Sequence, residues 1–493
     1  MLSPLDDRLA LLSMQVSGPT ISTQIQSRPV ERGKAIDLGN VPFADNLTIT
    51  IAASDGAGRL LGYGRAEATV DVGQGTQVEV AVRLRRPFAY LIGGPQVTAI
   101  DTTFDITQSY RRDMVGTGAT TAVAVPGDGK DIVAVEGKQV KLLDTATHAP
   151  VAGSTPLAIS AEASDAMVSP DSQWLVIAHA TGVSLIKLAE LRAGNAQPRF
   201  LGVGAASAIT FSGGLAWVLI GRAGDTCPGA ASSLVAIDLA AGSAGPVVNM
   251  GVPIADLAGD AASGTVLVAT PCLDAVKLVS NDGGTPTLTD FVNGVPHAGA
   301  VVALNGRMWA LGSVDAREVQ IPGENRTASD GTAHLVLVSK DLGTSGGPDS
   351  MIALPVPEEL AQTIDLGLAD VPGQSAEVRM GADRVRPLDL AVLPDGSRLA
   401  VLWNGSYDTV FFGTTPIIGG PLVASLTLTT SEYQLLDVAT GAPLQRLRTR
   451  CTGEVLTNDG FLKNFTCVQS PGQDIVPGPG YAPAHVAVLF GDR

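Results

Sequence analysis

Short apolar strands alternate with turn residues along most of this chain, and one order of strands and turns recurs. The segment "VPGDGKDIVAVEGKQVKLLDTATHAPVAG" (125–153) has a turn, an apolar strand, a second strand ending in Asp, and another turn. The same order returns in "VLPDGSRLAVLWNG" (392–405) followed by "YQLLDVATGAPLQRL" (433–447). Weaker copies lie at 168–188, 215–242 and 263–284. A repeat of roughly 40–50 residues built from short strands is typical of a β-propeller blade, so the pattern predicts an all-β propeller.

Counting the first two strands of each repeat predicts seven blades. Six lie near 119–160, 162–204, 205–252, 253–297, 298–360 and 386–450. The seventh is composite, with "FAYLIGGPQVTAIDTT" (88–103) as its second and third strands and "APAHVAVLFGDR" (482–493) as its first. Closing the ring with strands from both ends removes open sheet edges that promote aggregation. The sequence therefore predicts a closed seven-bladed propeller over residues 87–493.

The first 86 residues lack the blade pattern and form a separate region. Apolar strands such as "NLTITIAAS" and "LLGYGRAEATVDV" flank an Asp55-Gly56-Ala57-Gly58 turn, which is a hairpin signal. About 80 residues of this kind suit a small antiparallel β-sandwich of immunoglobulin-like or prealbumin-like type. We therefore predict two domains, at 1–86 and 87–493.

The "P-D-G…LAV…LD-x-x-T-G" pattern of residues 394–441 resembles the YVTN/lactonase-like and NHL-like propeller repeats of bacterial surface and periplasmic proteins. The resemblance covers about 400 residues of the chain. It implies a propeller fold, but the group includes lactonases, lyases, surface-layer proteins and binding scaffolds. The acidic and polar ligands of the lactonase branch have no match in this sequence.

Composition and charge exclude several classes of function. The formal net charge of −16 and the absence of a basic stripe argue against a nucleic-acid partner and against adsorption to anionic lipid. No apolar run approaches the length of about 20 residues that spans a bilayer. No P-loop or H-E-x-x-H motif is present, so the sequence indicates no cofactor and no bound metal.

Four cysteines predict two disulfides. Cys227 and Cys272 fall in the equivalent loop of consecutive blades, and Cys451 and Cys467 bracket the loop "TGEVLTNDGFLKNFT". Disulfides imply an oxidising compartment. The N-terminal "MLSPLDDRLALLSMQ" does not read as a signal peptide, because acidic residues stand where basic ones are needed. We therefore expect an exported protein whose signal, and possible lipid anchor, preceded Met1. Four buried free thiols are the alternative.

The two faces of the predicted propeller are elaborated unequally. Turns between first and second strands are short, such as Asp395-Gly396. The long insertions all fall on the opposite face, at Arg222–Ser232, Val314–Ala333, Leu366–Val385, Asn404–Glu432 and Thr452–Tyr481. Long loops on one face of a rigid scaffold commonly form binding surfaces, although neutral accumulation of insertions is the alternative.

Residues just before the first strands are expected to surround the mouth of the central channel. They are Asp165, Asp256, His297, Arg386, Asp389 and His485. The two histidines occupy equivalent positions in different blades, which suggests acid–base chemistry or metal binding. Hydrogen bonds to neighbouring loop backbones are the favoured alternative, since no third ligand is identifiable.

One insertion is unusually apolar. "TVFFGTTPIIGGPLVASLTL" (409–428) is expected to be a loop, and Phe411, Phe412, Ile417 and Ile418 are its candidate partner-binding residues. Such a segment either packs on its own blade or offers a patch to a partner.

These features favour an exported, non-catalytic binding or scaffold protein whose loop-rich face holds a protein or glycan at the cell surface. A lactonase- or lyase-like enzyme acting at the channel mouth is one alternative. A structural subunit of a surface assembly is another.

Overall fold

The fold is taken from a computed structural model of the chain. It describes the following residues: 8–18, 21–31, 34–37, 41, 44–58, 60–70, 78–82, 84, 86–92, 97–103, 111–114, 120–124, 126, 131–144, 149–222, 227–260, 263–280, 285–320, 327–356, 359–361, 378–414, 421–457, 462–465, 474–475 and 485–491. The regular secondary structure of these residues is almost entirely β-strand, with one short α-helix and one 3₁₀ turn.

The N-terminal region contains one four-stranded antiparallel sheet. Its strands are β1 (Leu11–Gly18), β2 (Ile21–Pro29), β3 (Ala44–Ser54) and β4 (Leu60–Val70), in the spatial order β2-β1-β3-β4. The turn between β3 and β4 is stabilised by Asp55, whose Oδ1 accepts a hydrogen bond from the Ala57 amide at 2.9 Å. A second sheet of the expected sandwich does not occur among the described residues of 1–86.

The remaining strands form sheets in chain order, and all their pairs are antiparallel except that of β36 with β38. The first sheet joins β5 (Arg86–Ile92), β6 (Val97–Asp101) and β7 (Arg111–Met114) to the last strand, β39 (His485–Gly491). The second contains β8 (Thr120–Ala124), β9 (Asp131–Glu136), β10 (Gln139–Asp144) and β11 (Leu157–Ala158). The third contains β12 (Ala163–Val168), β13 (Trp174–His179), β14 (Gly182–Lys187) and β15 (Arg199–Leu201), with the short helix α1 (Leu188–Arg192) before β15.

The next two sheets repeat this order. One contains β16 (Ala206–Ser212), β17 (Leu215–Ile220), β18 (Ser233–Asp238), β19 (Ser243–Ala244) and β20 (Val248–Asn249). The other contains β21 (Asp256–Asp260), β22 (Thr265–Thr270), β23 (Ala275–Ser280) and β24 (Thr287–Asn293), with a 3₁₀ turn at Pro271–Leu273.

The last two sheets carry the insertions. One contains β25 (Ala300–Leu304), β26 (Arg307–Val314), β29 (His334–Asp341) and β30 (Ser350–Pro355), and a hairpin of β27 (Glu318–Gln320) and β28 (Thr327–Ser329) interrupts it. A second small hairpin pairs β31 (Glu359–Ala361) with β32 (Val378–Met380). The final sheet contains β33 (Arg384–Val392), β34 (Arg398–Thr414), β35 (Pro421–Asp437), β36 (Pro443–Thr457), β37 (Leu462–Phe465) and β38 (Asp474–Ile475).

The first strands of these sheets meet around a common centre. In chain order, each of β8, β12, β16, β21, β25, β33 and β39 contacts the next, and β39 also contacts β8. Antiparallel sheets arranged radially about a shared channel form a β-propeller. Strand β39 pairs with β5 from His485 opposite Ile92 to Gly491 opposite Arg86, so strands from distant parts of the chain share one sheet.

The core lies mainly between the faces of adjacent sheets. For example, Val133 and Val135 of β9 share a buried cluster with Leu175 and Ile177 of β13. The N-terminal sheet joins this packing through Leu60, which is buried in a cluster with Leu91, Leu393 and Leu402. In the described residues, no helix is long and apolar enough to cross a membrane.

Candidate functional site

The first strands enclose a central channel with a volume of about 490 Å³. Most of its wall is apolar and comes from β8, β12, β16, β21, β25 and β33. Four charged side chains stand near one end of this wall. They are Asp165, Asp256, Asp389 and Arg222. The structure therefore brings three of the six predicted mouth residues together.

The three carboxylates hydrogen-bond to the backbone. Asp165 accepts the amide of the next residue, Ala166, at 2.8 Å and the amide of Ile209 in the neighbouring sheet at 2.8 Å. Asp256 accepts the Val301 amide of its neighbouring sheet at 2.9 Å. Asp389 accepts the amide of its next residue, Leu390, at 2.8 Å. A carboxylate is suited to this position because its two oxygens can satisfy two backbone donors.

The three carboxylates lie on every second sheet around the channel, on strands β12, β21 and β33. Asp165 and Asp256 bond across to the residues that follow Ala208 and Ala300. The sheets that bear the alanines thus receive a carboxylate from the preceding sheet. We therefore interpret Asp165 and Asp256 first as connectors between sheets, since buried amides without an acceptor are costly.

Asp256 has an unusual protonation equilibrium. Burial raises the pKa of its carboxyl to about 7, the charge of Arg222 opposes this rise, and the like charge of Asp389 adds to it. Arg222 is held beside them by a hydrogen bond from its Nη2 to the Leu388 carbonyl at 3.0 Å. This cluster is therefore the part of the channel in which a proton can be exchanged near neutral pH.

The raised pKa of Asp256 predicts a pH-dependent stability. Because the folded state holds this proton to a higher pH than the unfolded state, the free energy of unfolding should fall as the pH rises from about 4 to about 7. The loss from this group is on the order of 2–3 kcal/mol, given its partial access to solvent in the channel. Urea denaturation at several pH values should therefore show Asp256→Asn gaining stability relative to the unsubstituted protein as the pH increases. Parallel stability curves for the two proteins would contradict the assignment.

Arg386 forms an ion pair away from the channel wall. Its Nη1 and Nη2 lie 2.5 and 2.9 Å from the two carboxylate oxygens of Asp315, a residue of the insertion between β26 and β29. Burial raises the pKa of Asp315, but the hydrogen bonds and charge of Arg386, with the charges of Arg384 and His297, outweigh it and lower this pKa overall. The predicted mouth residue Arg386 thus connects β33 to an insertion of the preceding sheet.

The two predicted histidines lie in different elements of the fold. His297 lies in the loop before β25 with φ of +44°, and its amide donates to Asp274 Oδ1 at 2.7 Å. His485 begins β39, where its backbone is opposite Ile92, and its side chain lies outside the described residues. Acid–base chemistry or metal binding by the two rings, the less favoured interpretation of the sequence, is therefore not tested by the described residues.

Parts of three insertions are joined into one surface, which we call the platform (residues 315–320, 327–333, 378–383 and 404–407). The Ala316 amide donates to the Asp383 carbonyl at 2.9 Å, and the Asp383 amide donates to the Ser406 carbonyl at 2.9 Å. Gly331 and Gly381 are so close that a Cβ on Gly381 would lie 2.2 Å from the Gly331 carbonyl oxygen. The insertions of two neighbouring sheets therefore support each other.

The apolar insertion at 404–432 is a continuation of a blade, although the sequence suggests a loop. Strands β34 and β35 remain paired from Arg398 opposite Asp437 to Thr414 opposite Pro421. Tyr407 and Leu428, at the base of this extension, are buried with Ala333 and Ala382 of the platform. The backbones of Phe411 and Phe412 lie in β34, whereas their side chains and residues Ile417 and Ile418 lie outside the described residues.

A disulfide fixes two neighbouring sheets on the face that bears the platform. Cys227, between β17 and β18, is bonded to Cys272, between β22 and β23, which confirms the predicted pair. The side chain of Cys451 and the whole of Cys467 lie outside the described residues.

Removing this disulfide should destabilise the propeller by about 4 kcal/mol, because it closes a loop with a sequence separation of 45 residues. The Cys227→Ser, Cys272→Ser variant should show this loss in urea denaturation of the oxidised protein. The loss should disappear when both proteins are compared under reducing conditions. An equal difference in the two conditions would mean that the serine substitutions themselves cause it.

Arg222 and Asp315 are the site residues that sequence reasoning misses. Each lies in an insertion, where the blade repeat gives no register from which a position could be read. The nearest available signal is that Arg222 directly follows the end of a second strand, at the face where the channel mouth was expected.

No protein-family model matches this chain, and no curated protein matches it significantly. Similar solved structures include apo AztD from Citrobacter koseri, with 13% identity, a TM-score of 0.40, and coverage of 83% of this chain and 98% of that one. A functionally unknown protein from Desulfotomaculum acetoxidans DSM 771 shares 12% identity with a TM-score of 0.45, covering 82% and 99%. The WD40 repeats of RRP9 share 11% identity with a TM-score of 0.39, covering 60% and 78%. Likenesses at this level say nothing about activity or partners.

Proposed function

We propose that this chain is a non-catalytic binding protein that holds a protein or glycan partner on its platform face. The observation that carries the proposal is the joining of insertions from neighbouring sheets into the platform, through the Ala316–Asp383 and Asp383–Ser406 hydrogen bonds. Separate neutral insertions would not be expected to contact and order one another. A preorganised surface of this kind lowers the entropic cost of binding a partner.

The finer architecture is part of the proposal. The contacts among seven first strands, with β39 completing the sheet of β5, support a seven-bladed ring. The sheet of β1–β4 supports a small domain of immunoglobulin-like or prealbumin-like type before a propeller of YVTN-like or NHL-like repeats. The domain boundary is placed between residues 86 and 87.

We also propose that the protein is exported and faces an oxidising compartment, either free or attached through a lipid anchor. The Cys227–Cys272 disulfide supports this location, since such bonds persist mainly outside reducing compartments. Peptide mapping of protein isolated without reductant should recover this pair, together with a second pair of Cys451 and Cys467. Alkylation of all four thiols in native protein would contradict both the pairing and the location.

Site-specific photo-crosslinking tests which face binds. Leu273 and Val319, each 46% exposed, lie on the platform face. Asp171 and Asp238 lie in turns of the opposite face and are exposed. With p-benzoylphenylalanine at each site in the cells that make the protein, discrete adducts should form from the first two sites only, and mass analysis should identify protein or glycan. Adducts from the second pair alone, or from none of the four sites, would contradict the proposal.

An enzyme acting at the channel mouth is a second candidate, and the raised pKa of Asp256 favours it. A carboxyl that titrates near 7 can serve as a general acid or base at neutral pH. The hydrogen bond from Val301 to the same carboxylate weakens this candidate, because that oxygen already serves the backbone. An activity that survives Asp256→Asn would exclude the role.

A further inference from the structure

Strand β2 lies at one edge of the N-terminal sheet. In the order β2-β1-β3-β4, strand β2 is at one edge, and within the described residues it pairs only with β1. The opposite edge strand, β4, contacts β5 of the propeller. The edge formed by β2 is therefore on the side of the sheet opposite to its contact with the propeller.

In strand β2 the residues that usually protect a sheet edge, a charge and a proline, occur only at its C-terminal end, as Arg28 and Pro29. Its central segment Ser22–Ser27, "STQIQS", contains no charge, proline or glycine. Natural edge strands are commonly blocked by lysine, proline or inward-pointing charges, so an uncharged edge of this length is open to pairing with another strand. Ile25 in its centre is 67% exposed, the highest value among the large apolar residues described.

The sequence of β2 is nearly symmetric about Ile25. Gln24 and Gln26 flank it, Thr23 and Ser27 follow, and both arms are polar. In an antiparallel pair of two β2 strands centred on Ile25, the two isoleucines are opposite each other, and each Gln24 is opposite a Gln26. Arg28 is then opposite Ser22, so no like charges meet. A strand with this symmetry is complementary to itself.

Charge partition favours contact between two copies at this region. Residues 1–86 contain nine acidic and nine basic residues, so the whole formal charge of −16 falls on residues 87–493. Two propellers of this charge repel each other, whereas two N-terminal sheets do not. Strand β2 therefore lies in the region of the chain that has no net formal charge, where two copies can approach each other.

We propose that the protein forms a symmetric homodimer through antiparallel pairing of β2 with β2 of a second copy, centred on Ile25. The two four-stranded sheets become one eight-stranded sheet across a two-fold axis. Contacts of this kind are isologous, so each strand provides the same donors and acceptors to its partner. The dimer holds the two propellers apart and gives a partner of the platform face two binding sites.

Sedimentation velocity of the full chain tests the dimer. The unsubstituted protein should show a monomer–dimer equilibrium, and Ile25→Lys, which places two like charges at the axis, should weaken it at least about tenfold. Val319→Lys adds the same charge at an exposed position on the platform and should leave the equilibrium unchanged. A monomer at all concentrations from low micromolar to near millimolar would overturn the proposal, as would equal dimerisation of the Ile25→Lys variant.

Cysteine crosslinking tests the register. Opposite residues of an antiparallel pair have Cα atoms about 4.5–5.5 Å apart, within reach of a disulfide. Ile25→Cys should therefore form a covalent dimer on mild oxidation. Ser27→Cys is two residues along the same strand, and its two copies would be offset by roughly 14 Å along the strand, so it should not crosslink. Equal crosslinking of both variants, or of neither, would overturn the centred pairing.

Discussion

Deletion of residues 482–493 should abolish the cooperative unfolding of this protein. The deletion removes β39, whose pairing with β5 extends over seven residue pairs. It also removes contacts of β39 with β33, β34 and β8, so the innermost strand of one sheet is lost and its neighbours lose a side of their packing. The buried residues Phe88, Tyr90 and Leu91 of β5 would then lie in an edge strand. Light scattering should show aggregation, or calorimetry should show a broad thermal transition with a small enthalpy of unfolding.

A synthetic peptide of residues 482–493 is the matched control for this deletion. If β39 completes the first sheet, the peptide added to the truncated chain should restore a single sharp transition, whereas a peptide of the same composition in scrambled order should not. A truncated protein that stays monomeric with an unchanged melting temperature would refute closure by this strand. Restoration by both peptides would show that the effect is not specific to the pairing.

The repeat in the sequence predicts the sheets well, because it reports on local structure. The shared "LLD-x-AT-x-AP" of 142–150 and 435–443 marks the ends of β10 and β35, two third strands. Asp437 accepts the amide and the hydroxyl of Thr440 at 2.9 and 2.8 Å, which is the turn-capping role that its recurrence suggests. Turns, alternation and capping depend on neighbours in sequence, so they can be recognised there.

The insertion at 404–432 shows where this reasoning fails. Its glycines, prolines and consecutive apolar residues are typical of a loop, yet the backbone continues as paired strands β34 and β35. Packing decides the outcome, because Tyr407 and Leu428 are buried against Ala333 and Ala382 from other insertions. Contacts between insertions follow no repeat, and a single sequence holds no signal for them.

The channel carboxylates are predictable from the sequence only in part. Strand order alone places Asp165, Asp256 and Asp389 at one end of the channel, as the repeat predicts. What the oxygens of Asp165 and Asp256 bind depends on an amide about 45 residues later, in the next sheet. The sequence therefore identifies the residues but not whether they serve a ligand or the backbone.

A double substitution separates those two roles. Asp165→Ala with Asp389→Ala removes the acceptors of three buried amides, those of Ala166, Ile209 and Leu390. At about 1–3 kcal/mol for each unsatisfied donor, the free energy of unfolding should fall on the order of 5 kcal/mol. This loss is comparable to the whole stability of many domains, so partial unfolding at room temperature is expected.

The corresponding double asparagine variant provides the comparison. Each amide oxygen can still accept one backbone hydrogen bond, so only one of the three amides loses its acceptor. Asp165→Asn with Asp389→Asn should therefore lose roughly one third as much free energy as the alanine pair. Urea denaturation of the three proteins at one pH measures both differences. If instead the residues serve mainly a ligand, both variants should unfold like the unsubstituted protein and only ligand binding or turnover should decline. Because the hydrogen bonds of Asp165 and Asp389 end on buried backbone amides, we expect the first result, with the alanine pair the least stable of the three.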